Sequence, residues 1–260
     1  MPGTHENRID AAFTKQAGTF ERADLNVAFT SGLPWLIGLA APVATDRALD
    51  VAGGTGLVAR ALAGSVESVT VVDSTPAMLD AGRRGAREEG HRNVEFLQAD
   101  ARWLPFPGES FTLVVTRFSL HHFQDPAPLL DEIVRVTAPA GRIVVKDLVS
   151  SEDPVLAARQ DEIERLRDES HVSMPPVGDI RSWLEQRGGA VTQVEQKTID
   201  RPLEPWLEQS VTADEPANLV RERLRAEVDG GAPTGMRPHL VDGALWFHQT
   251  WETTVAHRPG

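Results

Sequence analysis

Ala48-Leu49-Asp50-Val51-Ala52-Gly53-Gly54-Thr55-Gly56-Leu57-Val58-Ala59 is an apolar run that stops in a glycine cluster and resumes as a helical pattern. The next apolar run, Val69-Thr70-Val71-Val72, closes on the acidic Asp73. Glycine lets the backbone turn sharply and lets a ligand approach where a Cβ would stand, while a following helix presents unpaired N–H groups to it. A carboxylate at the tip of the second strand can accept from both hydroxyls of a ribose. The pair reads as a site for a nucleotide-type cofactor.

Outward from this stretch, five short apolar runs rich in β-branched residues read as strands covered on both faces: 47–52, 68–73, 94–100, 111–117 and 142–148. Helical patterns lie between them at 57–63, at 76–89 behind Ser74-Thr75-Pro76, and at 128–137. Strands alternating with helices predict an α/β, doubly wound and mostly parallel sheet. Ligands in such a sheet sit at the carboxyl ends of the strands, where Asp50, Gly54, Asp73, Asp100 and Arg117 all fall.

Residues 8–41 read as two or three short helices with Phe13, Phe20, Leu25, Phe29 and Trp35 as their apolar set, placed to cover a cofactor. Beyond the fifth strand, 154–170 and 177–186 are helical, while 190–199 and 245–255 read as strands. The Pro- and acid-rich stretch 201–239 is then a long insertion at the sheet rim, where substrate contacts are expected. The organisation predicted for 1–260 is one domain: lid helices over 1–45, a cofactor-binding core over 46–150, and a C-terminal half over 151–260. Its substrate cap occupies about 201–240.

With 41% hydrophobic and 25% charged residues among 260, the composition is that of a folded globular protein. A net charge of -12 opposes a polyanion, and the short Arg83-Arg84-Gly85-Ala86-Arg87 reads as a solvated helix face, so nucleic acid is not an expected partner. Residues 32–43 form the longest apolar stretch, but Pro34, Gly38 and Pro42 interrupt it well short of a bilayer span. The start, Met1-Pro2-Gly3-Thr4-His5-Glu6-Asn7-Arg8, lacks the pattern of a secretion signal. Cysteine is absent, which removes disulfides and thiolate metal sites. A cytoplasmic monomer or homodimer acting on a small, apolar or aromatic metabolite is the expectation.

The glycine cluster alone leaves the cofactor open. Gly54, Gly56 and Ala59 also satisfy a dinucleotide fingerprint with Asp73 as the ribose acid, which keeps an NAD-dependent oxidoreductase in view. Against it, Asp50 places a negative charge where a diphosphate would lie, and suits a cation better.

The third strand ends in Gln98-Ala99-Asp100-Ala101 with Leu104-Pro105-Phe106-Pro107 behind it, a polar grip beside apolar surface suited to an adenine edge. The fourth opens into Thr116-Arg117-Phe118-Ser119-Leu120-His121-His122-Phe123-Gln124-Asp125-Pro126, with paired imidazoles. With Arg135-Val136-Thr137-Ala138-Pro139-Ala140-Gly141-Arg142, this ordered set resembles the class I S-adenosylmethionine-dependent methyltransferases, in the branch of the ubiquinone and menaquinone methyltransferases. The likeness is good over about 13–148 and fades beyond.

The resemblance implies a Rossmann-like, seven-stranded fold and S-adenosyl-L-methionine as cofactor. It implies that Asp50 and the backbone of Ala52, Gly54 and Gly56 hold the methionine moiety, that Asp73 and Ser74 meet the ribose, and that Met78 packs on the adenine. Asp100 and Ala101 would bond the adenine edge, Gln16 and Phe20 would close over the ligand, and Arg117 would stand beside it. Two departures stand out: Ala52 replaces the usual first glycine of the loop, and Ala138-Pro139-Ala140-Gly141 replaces a Lys-Pro-Gly-Gly turn.

Methyl transfer from a sulfonium needs alignment and water exclusion first, and a general base only for a hydroxyl or an acidic carbon. His121 and His122 are the candidate bases by position, with His171 and His239 as alternatives. Phe118, Trp206, Met236 and Trp246 are candidate pocket walls, though such residues are core more often than not. Adjacent imidazoles diverge, so His121-His122 with Asp125 is not expected to bind a metal. No Gly-x-Ser-x-Gly elbow follows a strand, which disfavours a serine hydrolase. A protein that keeps the cofactor but catalyses a rearrangement or cyclisation remains an alternative.

Overall fold

The structure is a computed structural model that describes residues 5–22, 24, 25, 30 and 32–260; Phe29 and Met1 to Thr4 of the sequence reading lie outside the described residues. Among the described residues, α1 (His5–Gln16) and α2 (Leu33–Ala40) precede the first strand. Strands β1 (Arg47–Val51), β2 (Ser68–Asp73), β3 (Val94–Gln98), β4 (Phe111–Arg117) and β5 (Thr137–Val149) then alternate with α3 (Leu57–Leu62), α4 (Pro76–Glu88) and α5 (Ala127–Val136). The second half holds α6 (Pro154–Arg167), α7 (Asp179–Gln186), β6 (Ala190–Pro202), α8 (Leu203–Gln209), α9 (Asp214–Val228), β7 (His239–Val241) and β8 (Ala244–His257).

The strands form one sheet in the order β3-β2-β1-β4-β5-β8-β6, and β7 pairs the beginning of β8. The first five are parallel, with Leu49 opposite Thr70 on one side and Val114 on the other. β8 runs antiparallel between β5 and β6. The fold expected from the sequence is the fold observed, with one addition. β7 spans three residues, too few for an alternating pattern to show in the sequence.

Side chains alternate across a strand, so the two faces carry separate cores. Leu49, Val51, Val114, Ile143 and Val145 pack against Leu129, Leu130 and Ile133 of α5 and Ile180 and Leu184 of α7. Ala48, Val69, Val71, Leu113, Val115 and Val144 pack against Leu36 of α2, Val58 and Leu62 of α3 and Leu79 of α4. Both faces are dry, which explains why these strands read as unbroken apolar runs.

The stretch read as an insertion is helical. α8 and α9 pack through Leu203, Trp206, Leu207, Val220 and Leu224 onto Ile163, Met236 and Phe247, a third core beside the sheet edge. Trp206 and Met236, candidate pocket walls in the sequence, are fully buried members of that core and do not line the cavity. Among the described residues no helix is long and apolar enough to cross a membrane. Strand order reverses beside β1, between β2 and β4, and a crevice opens there at the carboxyl ends of the strands.

Candidate active site

One cavity of about 980 Å³ occupies that crevice. Its floor is the loop after β1. Ala52, Gly54 and Gly56 all take left-handed backbone, at φ 51°, 57° and 72°. The Gly53 amide donates to Val72 O at 3.0 Å and Gly56 to Gly53 O at 2.8 Å, which folds the turn tightly against β2. A Cβ on Gly53 would stand 2.7 Å from Asp50 Cγ and 2.9 Å from Val71 Cγ1, so the glycine is required by space. Gly56 does not line the cavity; its part is the turn, where a Cβ would come within 2.9 Å of the Phe96 ring.

Asp50 is buried on the cavity wall, and its Oδ2 accepts from the Ala59 amide at 3.1 Å. Its Oδ1 is buried with no hydrogen-bond partner among the described residues. Burial pushes this carboxyl up to about 7, against the pull of the Ala59 amide and the Arg117 charge.

Asp73 accepts from Gly54 N–H at 2.8 Å and Thr75 N–H at 2.9 Å, which fixes both oxygens at the mouth of the loop. Burial pushes it, too, above the ordinary carboxylate range. Ser74, Gln98 and Ala101 line the same wall. Asp100 is turned toward Arg102, accepting from its amide at 2.8 Å and from its Nη2 at 2.6 Å. The same Nη2 donates to Glu6 Oε1 at 2.8 Å, so this bridge ties α1 to the end of β3. Met78 corrects the sequence reading. It is fully buried beneath α4 and does not reach the cavity, while Pro76 of the same helix does.

α1 supplies the roof with Phe13 and Gln16, and Phe20 from the turn after the helix lines the cavity beside them. Gln16 is buried, and its Nε2 donates to Asp168 Oδ2 at 2.9 Å. This places the end of α6 opposite the lid.

The two histidines after β4 have opposite surroundings. His121 Nδ1 lies 2.5 Å from Asp147 Oδ1. Burial works against its charge, yet the Asp147 carboxylate outweighs it and raises the imidazole above its ordinary value. His122 is held well below that value by burial and by the His121 charge. Ser170 donates its hydroxyl to Asp168 Oδ1 at 2.5 Å, so His122 Nδ1–H donates to Ser170 Oγ at 3.1 Å. Neutral His122 then keeps its Nε2 as an acceptor.

The other sequence candidates lie elsewhere. His171 is buried away from the cavity on Asp161, at 2.9 Å. His239 faces Asp200 outside it, and Trp246 is not on its wall. Asp125 lines the cavity but accepts from the Ala127 amide at 2.9 Å, at the start of α5. Asp200, His239 and His248 bring three ligand-type atoms within 4.8 Å of one another on β6, β7 and β8, apart from the cavity.

The sequence reading missed the far wall, made of Arg167, Asp168, Arg201, Gln209 and Gln249. The register Asp200↔His248 sets the end of β6 against β8 and brings Arg201 and Gln249 together, with Arg201 Nη1 donating to Gln249 Oε1 at 3.1 Å. The signal for Arg201 was its place at the end of a strand that runs to Pro202, three residues past the alternation. No local signal marks Arg167, Gln209 or Gln249.

A methyltransferase-domain family model matches residues 49–145. A Bacillus subtilis protein named uncharacterized methyltransferase YcgJ is 31% identical over 178 residues, covering 68% of this chain and 70% of its own. Its crystal structure superposes with a TM-score of 0.81 over 88% of this chain and 99% of that one. The demethylmenaquinone methyltransferase of Clavibacter sepedonicus is 36% identical over 57% of this chain and 61% of its own. At 18% identity and a TM-score of 0.65, the [4+2]-cyclase SpnF shares the fold alone. These likenesses decide between the two readings of the glycine loop, and the chain belongs to the methyltransferase family.

Proposed function

We propose that this protein transfers a methyl group from S-adenosylmethionine to oxygen or carbon of a small metabolite held in the cavity. The observation that carries the reading is Asp50, a buried carboxylate at the glycine turn that lines the cavity and whose Oδ1 has no donor among the described residues. Such a group suits a ligand that brings an N–H donor and positive charge, as the amino group of the methionine moiety does. When bound, the sulfonium supplies the electrophilic methyl.

The chain supplies the rest. Asp73, fixed by two amides, keeps acceptor capacity for the ribose hydroxyls, and Ala101 with Asp100 meets the adenine edge, where Arg102 competes for the carboxylate. Gln16, Phe13 and Phe20 close the roof against water. His122 is the general base, because it is neutral with an acceptor nitrogen, while Asp147 favours the protonated form of His121, whose Nε2–H then donates toward the acceptor's oxygen. Two adjacent imidazoles pushed apart in this way divide acid and base roles.

Calorimetric titration with S-adenosylhomocysteine tests the cofactor. Binding that weakens by about 1.5 to 3 kcal/mol in Asp73→Ala, with its lost charge-assisted acceptor, is the expected result. Absence of binding, or binding indifferent to Asp73→Ala, overturns it. Product mass separates methyl transfer from a rearrangement: a gain of one methyl group, or none.

A further inference from the structure

We infer that Asp200, His239 and His248 form a binding site for a divalent transition ion of the zinc class, where β6, β8 and β7 lie side by side and apart from the cavity. The backbone register brings the three side chains to one face. Asp200 of β6 is opposite His248 of β8, and His239 of β7 is opposite Trp246, two residues before His248. Paired residues share a face of a sheet, and so do residues two apart along a strand. Asp200 and His239 therefore flank His248 from the two neighbouring strands. The register of β7 is itself fixed, because Asp242 and Gly243 join it to β8 as a two-residue turn with both residues left-handed, at φ 49° and 81°.

The spacings suit one ion. His239 Nε2 lies 3.3 Å and His248 Nδ1 3.6 Å from Asp200 Oδ1. A tetrahedron with bonds of about 2.1 Å has edges of about 3.4 Å, so both separations are those of neighbouring ligands. The imidazoles stack with their centres 4.7 Å apart and their planes at 26°. Hydrogen bonding leaves the cluster incomplete: the Nδ1 atoms of His239 and His248 are both buried with no hydrogen-bond partner among the described residues. At 3.6 Å, His248 Nδ1 and Asp200 Oδ1 are past hydrogen-bond reach, and a cation between them satisfies both.

Two imidazoles and one carboxylate offer too few oxygens for Ca²⁺ or Mg²⁺ and suit the nitrogen-preferring divalent ions of the first transition row. Burial, against the pull of Asp200 and with the charges of His239 and Arg237, holds the His248 imidazole below its ordinary value and so in the neutral form that ligates. The His239, His248 and Asp200 side chains are 34%, 34% and 46% exposed, which lets an ion enter from solvent and leaves the fourth position to water. A bound ion ties the three-residue β7 to β6. Arg201 and Gln249, next along the chain from Asp200 and His248, line the cavity, so the same tie stiffens that wall.

The test uses the full chain without a histidine tag, stripped by chelator and titrated calorimetrically with Zn²⁺ alone. We expect one equivalent bound with a Kd below about 10 μM, and a Tm higher by about 3 °C or more at saturating Zn²⁺. His239→Ala and His248→Ala should each weaken that Kd at least about 30-fold, and Asp200→Asn, which keeps the shape and removes the charge, at least about tenfold. His91→Ala removes an imidazole that faces Glu89 elsewhere on the surface and should leave the Kd within about twofold. If one variant fails to fold, the wild-type titration and the remaining variants still decide. No binding to the wild type up to about 100 μM Zn²⁺, or one equivalent whose Kd the substitutions at 200, 239 and 248 leave unchanged, overturns the site.

Discussion

The His121 imidazole and the Asp147 carboxylate stand 2.5 Å apart, Nδ1 to Oδ1, with the carboxylate entirely out of solvent. The same carboxylate accepts from the Leu120 amide at 2.7 Å, so the pair also fixes the turn that presents both imidazoles.

Because Asp147 favours the charged His121 and that charge disfavours a charged His122, the two should titrate on opposite sides of the ordinary imidazole value. Proton-detected titration should show His121 protonated to higher pH, and Asp147→Asn should bring it down. With His122 as base, His122→Ala should lower kcat about 100-fold or more, with little change in S-adenosylhomocysteine affinity. Full activity in His122→Ala removes it from the chemistry.

Asp50 has to be ionised to receive an ammonium group. Its carboxyl sits at about 7, so below that value a bound proton must leave before the ligand enters, and above it none does. Affinity for S-adenosylhomocysteine should therefore fall about tenfold between pH 8 and pH 6, and Asp50→Asn should flatten that slope while weakening binding throughout. An unchanged slope in Asp50→Asn assigns the proton elsewhere.

Gly53→Ala places a methyl 2.7 Å from Asp50 Cγ and 2.9 Å from Val71 Cγ1. Neither neighbour can yield freely, since Val71 is core and Asp50 is tied to Ala59. The substitution should destabilise the fold by about 1 to 3 kcal/mol, visible in the Tm, and weaken S-adenosylhomocysteine binding with it. A wild-type Tm would mean that the turn relaxes.

Trp206 separates packing from recognition. It is fully buried, its ring lies 4.6 Å from Phe247, and it faces the third core and not the cavity. Trp206→Ala should cost about 3 to 5 kcal/mol in denaturant unfolding, while the protein that remains folded keeps its S-adenosylhomocysteine affinity. Lost affinity at wild-type stability would return this residue to the ligand.

The central strands of the cofactor side, β1, β2 and β4, were legible because each is short, β-branched and largely buried; 68–73 and 111–117 begin and end where their composition says they should. Asp50, Asp73, Asp100 and Arg117 were legible for a related reason, since a charge closing an apolar run marks a strand tip. Met78 misled because a helix periodicity says which residues are buried and not what they are buried against; it turned into the protein interior. Arg167 and Gln249 carried no mark at all. One ends an ordinary charged helix and the other lies within an apolar strand, and only the pairing of β6 with β8 makes neighbours of Arg201 and Gln249. Contacts set by long-range register are not written in any local stretch.

β6 and β8 run as a ribbon of 13 and 14 residues from the sheet edge to the inner end of the crevice. Residues 201 and 249, where these strands line the cavity, lie beyond the stretch 49–145 that the family model matches. Kinship measured on that stretch is therefore silent about acceptor choice: two members can share the loop after the first strand and still differ in what they accept, and swapping residues on β6 and β8 tests whether these strands make the difference.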